Sequence, residues 1–143
     1  MTDLYFVDTN VLVYSRDATE PDKQPMAEAW RKELWRRGTG RLSAQVLNEY
    51  YQVVTRKLVP GMPRERARAE IQDLMQWQPL PLTPQLLFDA WGIEDRHQIS
   101  LWDALIVAAG QAADCAYLLS EDLGEGRDFD GMRVINPFTT APH

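Results

Sequence analysis

Apolar and polar residues alternate along this chain in blocks that change period. Residues 4–7 (Leu-Tyr-Phe-Val) are a short unbroken apolar run, the mark of a strand buried on both faces, and it stops at the polar triplet Asp8-Thr9-Asn10. Short oxygen-bearing side chains cap helix starts, so the triplet predicts a strand-to-helix junction and a short helix over 11–16. Residues 17–25, with two prolines, read as a loop, and 26–37 as a helix stopped by Gly38. A second strand falls at 41–44. The segment 45–58 then carries Val46, Leu47, Tyr50, Val53, Val54 and Leu58 at helical spacing. Helices follow over 63–77 and 84–95, with a strand candidate at 80–82, where Pro81 suits an edge. Residues 104–109 (Ala-Leu-Ile-Val-Ala-Ala) are apolar around the whole helix and therefore buried. Two more strands, 116–119 and 132–135, complete the pattern. Strands separated by helices, with no hairpin turn between them, predict parallel crossovers and an α/β sandwich.

The 143 residues suit one domain, 1–143, and at 45% hydrophobic they supply a core. No stretch has the layout of a signal peptide or the length to span a bilayer, and a lone cysteine, Cys115, fits a reducing cytoplasmic setting. With one cysteine and two histidines, His97 and His143, no zinc set can be assembled. The net charge of −6 opposes phosphate binding, yet ten of the fifteen basic residues and only three acids lie between Arg31 and Arg68. Arg31, Lys32, Arg36, Arg37 and Arg41 are thus either guides for nucleic-acid phosphates or an ordinary solvated helix face.

In an open α/β sheet, ligands bind beyond the carboxyl ends of the strands. Asp8 follows the first strand directly, and Asp122 comes three residues after Leu119. Asp103 begins the buried helix, and Glu49 lies early in the helix after the second strand. Each acid has a plain structural role open to it: Asp8 as a helix cap, Asp103 in a capping box with Ser100, Asp122 in a turn, Glu49 on a solvated face. Together they are a different matter. Carboxylates gathered at one edge repel one another, and a hard divalent cation with oxygen ligands relieves that repulsion. Metal-assisted phosphodiester hydrolysis needs such a set.

The runs Phe6-Val7-Asp8-Thr9-Asn10-Val11-Leu12, Asn48-Glu49, Leu101-Trp102-Asp103-Ala104-Leu105-Ile106-Val107-Ala108-Ala109 and Leu118-Leu119-Ser120-Glu121-Asp122-Leu123 resemble the four motif regions of the PIN-domain family. The ending Val134-Ile135-Asn136-Pro137-Phe138 is similar to its VapC-type toxin branch. The resemblance implies a three-layer α/β/α sandwich around a central parallel sheet and a four-acid catalytic and metal site at Asp8, Glu49, Asp103 and Asp122. It gives Asn10 and Ser120 supporting positions. It also implies Mg²⁺ or Mn²⁺ as cofactor, endoribonuclease activity on RNA, a homodimer, and a cognate VapB-type antitoxin. Glu121 is a fifth carboxylate whose part is open, and Trp102 stands where the family more often has a smaller aromatic, a change expected to touch packing. Two rival readings remain. One is a catalytically silent PIN-like module that binds RNA or protein. The other is a phosphatase with Asp8 as nucleophile, disfavoured because position 10 is Asn.

Overall fold

The computed structural model describes residues 2–142, so His143 lies outside the described residues. Strand β1 (Tyr5–Val7) lies inside the sheet, and its neighbours are β2 (Gly40–Arg41) on one side and β3 (Tyr117–Leu119) on the other, both parallel to it. Beyond β3 comes β5 (Met132–Ile135), again parallel, and then β4 (Asp128–Phe129), antiparallel, at the edge. The sheet order is β2-β1-β3-β5-β4. The expected strand at 80–82 contracts to one parallel bridge between Ser43 and Leu80, outside β2.

Side-chain alternation along β1 sets the two helical layers. Tyr5 meets Trp30 of α2 (Lys23–Arg37), with ring centroids 5.7 Å apart. Phe6 points the other way, toward Gly110 of α6 (Leu101–Ala112). On the Trp30 side α2 packs with α1 (Thr9–Tyr14), α1 packs with α3 (Ala44–Arg56), and α3 packs with α4 (Arg64–Leu74). On the other side α6 packs with α5 (Pro84–His97). The result is the three-layer α/β/α arrangement. Phe6, Leu118, Leu119 and Val134 are fully buried between the layers. Among the described residues no helix is long and apolar enough to cross a membrane.

Several boundaries differ from the sequence pattern for identifiable reasons. Helix α1 starts at Thr9 because Asp8 itself is the cap, and its carboxylate accepts the Thr9 N–H at 2.7 Å. Helix α2 starts at Lys23, with Pro25 in its first turn, where a missing N–H costs nothing. The expectation of no hairpin is wrong: β4 and β5 are joined by Asp130-Gly131, both at positive φ, the two-residue combination that right-handed strand twist favours.

Candidate active site

Strand β1 ends at Val7, and the Asp8 N–H donates to the Leu119 carbonyl of β3, so the ends of the two strands are tied at that point. Asp8 is buried, with one oxygen taken by the Thr9 N–H and the other by the Ser120 hydroxyl at 2.8 Å. The same Ser120 oxygen accepts the Asp122 N–H at 3.2 Å, and the Asn10 amide donates to the Asp122 carboxylate at 2.8 Å. Asp8, Asn10, Ser120 and Asp122 thus form one hydrogen-bonded group at the carboxyl edge of the sheet. Glu121 turns away from it and pairs with Lys23, whose ammonium also lies over the Tyr14 ring.

Asp103 is the third residue of α6, and its N–H is capped by the Ser100 hydroxyl at 3.1 Å. Its carboxylate acts electrostatically on Asp8. Burial pushes the Asp8 carboxyl up to about 6, the two hydrogen bonds oppose the shift, and the negative charges of Asp103 and Asp122 add to it. Among the described residues the largest influences on it include no cation. Glu49 is exposed on α3 and lines a neighbouring groove with Trp102, the residue before Asp103. The structure therefore brings Asp8, Asp103 and Asp122 into one electrostatic group, while Glu49 is exposed on the groove that Trp102 lines.

Among the described residues no group of three or more Asp, Glu, His or Cys side chains is placed to hold a metal ion by itself. The donor chemistry still fits a hard cation. Asp8 is a buried carboxylate facing two further negative charges, and the Asn10 carbonyl oxygen is buried without a hydrogen-bond partner.

Two expectations change. Trp102 is not a packing residue: it is 67% exposed, in the first turn of α6 ahead of the buried run from Ala104 to Gly110. The arginines of α2 are largely occupied within the chain. Arg31 reaches Ser15 and the Tyr50 hydroxyl, while Arg36 and Arg37 share Glu33; Arg41, in β2, bonds the Gly38 and Gly40 carbonyls. Sequence reading missed the groove of Leu82, Gln45, Asn48 and Trp102. The available signal was a bulky aromatic one position ahead of Asp103 on a helix already apolar on its buried faces.

Fold and site together define an α/β/α domain with a cluster of acids at the carboxyl edge of its sheet. The PIN domain model matches residues 5–125, and the chain belongs to that family. Solved structures share the fold. A chain of the FitAB complex bound to an IR36 DNA fragment aligns with TM-score 0.72 at 22% identity, covering 98% of this chain and 99% of its own. The Mycobacterium tuberculosis toxin VapC20, which cleaves the sarcin-ricin loop, aligns with TM-score 0.63 at 23% identity over 82% of this chain and 91% of its own. A chain of VapBC2 from Rickettsia felis, bound to promoter DNA, gives 0.62 at 18% identity over 92% and 96%. No curated protein matches the chain.

Proposed function

We propose that this PIN-domain chain is a divalent-metal-dependent endoribonuclease that hydrolyses RNA phosphodiester bonds at Asp8, Glu49, Asp103 and Asp122, with Asn10 and Ser120 in support. The observation that carries this reading is the buried Asp8 carboxylate, held against Asp103 and Asp122, with no cation among the largest influences on it from the described residues. A binding scaffold gains nothing from such an arrangement, because uncompensated buried charge destabilises the fold. A bound Mg²⁺ or Mn²⁺ would supply Lewis-acid activation of water and of the scissile phosphate. Asp8, Asp103 and Asp122 would hold it, with Glu49 contributing from α3. Ser120 fixes the Asp8 carboxylate and the backbone of Asp122 at once, and Asn10 holds the Asp122 side chain, so the carboxylates are oriented before substrate arrives.

The shared fold of toxin–antitoxin proteins supports a place for this chain as the toxin of a type II pair, homodimeric, acting on cytoplasmic RNA and restrained by a VapB-type antitoxin. Incubation of the purified protein with a mixed pool of structured cellular RNAs in Mg²⁺, Mn²⁺ or EDTA tests the enzymatic claim. Discrete cuts that need metal and disappear in Asp8→Ala and Asp103→Ala are expected. Near wild-type cutting by either variant would remove the acid cluster from the mechanism.

A further inference from the structure

Gln45, Asn48 and Glu49 stand on one face of α3 at i, i+3, i+4 spacing, and with Ala44, Leu82 and Trp102 they line a groove of about 530 Å³. Leu82 is 59% exposed, and Trp102 more so. Among the described residues the indole of Trp102 has no ring or hydrogen-bond partner, and neither side-chain amide, of Gln45 or of Asn48, is hydrogen-bonded. The groove thus combines an open aromatic face, an aliphatic flank and two unpaired groups that both donate and accept. A ligand that satisfies all three is flat, apolar on its faces and polar along its edge. A nucleobase has those properties, and an unpaired base stacks on aromatic side chains while its edge is read by hydrogen bonds. Glu49 lies on the groove's wall, and Trp102 is the residue before Asp103 on α6. An apolar face of a second copy of the chain would cover Trp102 but leave the amides and Glu49 unsatisfied.

We propose that Trp102 is the stacking platform for one unpaired base of the RNA substrate, flanked by Leu82 and read along its edge by Gln45 and Asn48. The neighbouring phosphate is thereby set against Asp103 and its companions. The inference rests on the ribonuclease reading and narrows the substrate to RNA with a splayed-out base, in a loop, bulge or single strand. Trp102 is a positioning residue here: it holds the base and takes no part in bond breaking.

The test is a titration of a short labelled single-stranded RNA of mixed sequence in Mg²⁺, using chains that all carry Asp8→Asn so that the RNA stays intact. Adding Trp102→Ala is expected to raise Kd by about 5- to 150-fold, the range for loss of one stacked base, and Trp102→Phe to recover most of it. Scanning a single abasic position along the RNA is expected to find one position that weakens binding to the Trp102 chain and is indifferent in Trp102→Ala. A fold that failed would not reproduce that pairing of base and ring. Equal Kd values, or an abasic penalty identical in both chains, would overturn the proposal. So would loss of a dimer on Trp102→Ala in sedimentation, which would assign the ring to a second copy. Absence of RNA binding by the Trp102 chain overturns it too. Cleavage by the unsubstituted protein decides the nuclease reading separately: metal-dependent cutting that ignores Trp102 sinks only the stacking.

Discussion

Asp8 caps α1 and accepts two hydrogen bonds, yet burial and two neighbouring acids keep its carboxyl near 6. In the unfolded chain it returns to about 3.8. Between those values the unfolded state has released a proton that the folded state still holds, so metal-free stability falls as pH rises through the window. Above about 6 the loss is complete, on the order of 3 kcal/mol for a group this buried. Asp8→Asn keeps the shape and removes the charge. In EDTA its urea-derived stability is expected to exceed that of the parent at pH 8, and the gap to close as pH falls toward 4. Other carboxylates titrate over the same range, so the readout is the difference between the two chains. A gap that stays constant with pH would mean that Asp8 carries no such strain. The cap read for Asp8 from the sequence is present in the structure, and of the capping box read for Ser100 and Asp103 the Ser100 half is present, with its hydroxyl accepting the Asp103 N–H. What one residue in isolation could not reveal is that the two capped helix starts also bring their negative charges within reach of each other.

Elements were legible where their signals were local. The buried strand before Asp8, the stop at Gly38, the amphipathic α3 and the all-apolar α6 each follow from periodicity and punctuation within a few residues. The edge hairpin was not, because β4 is only Asp128–Phe129 and gives no alternation to read, although Asp130-Gly131 is a turn pair. Exposure was harder still. Trp30 and Trp77 are buried while Trp35 and Trp91 stand about half exposed, and that division depends on what packs across the helix. Trp77 illustrates the long-range case. A Cβ added at Gly40 of β2 would lie 2.5 Å from its ring, so the strand can approach the short 3₁₀ turn Met75–Trp77 only through a glycine. The ring is rigid and fully buried and cannot swing aside. Gly40→Ala is expected to cost about 1–3 kcal/mol in urea denaturation by overpacking, with kcat of the folded protein unchanged. Unaltered stability would show that β2 shifts freely and that the contact does not fix the sheet edge.

At the scale of the molecule, a chain of net charge −6 has to accept a polyanion. Its basic residues give less help than their number suggests. Arg16 is committed to Glu28 and Glu70, at 2.7 and 2.9 Å, and Arg31 lies 3.7 Å from Glu70, in a network that ties α4 to α2 and to the end of α1. Around the buried Asp8 carboxylate, where the neighbouring charges are Asp103 and Asp122, a bound cation would supply attraction for phosphate. Among the described residues no three acids are gathered closely enough to hold a metal by themselves, so the protein alone offers too few ligands for tight binding, and substrate phosphate must complete the set. Metal binding to the free protein is therefore expected to be weak, with half-saturation near millimolar Mg²⁺. At ten times that concentration, linkage gives a stabilisation of about 1.4 kcal/mol, a rise of a few degrees in Tm. The rise should be larger at pH 8 than at pH 5, where Asp8 is protonated and the cation must displace its proton. It should shrink in Asp8→Asn at both pH values. A thermal melt across a Mg²⁺ series in the absence of RNA reads all three. Saturation below micromolar Mg²⁺ would mean that the protein by itself completes the coordination. Equal shifts in parent and Asp8→Asn would place the cation away from the strand-end acids.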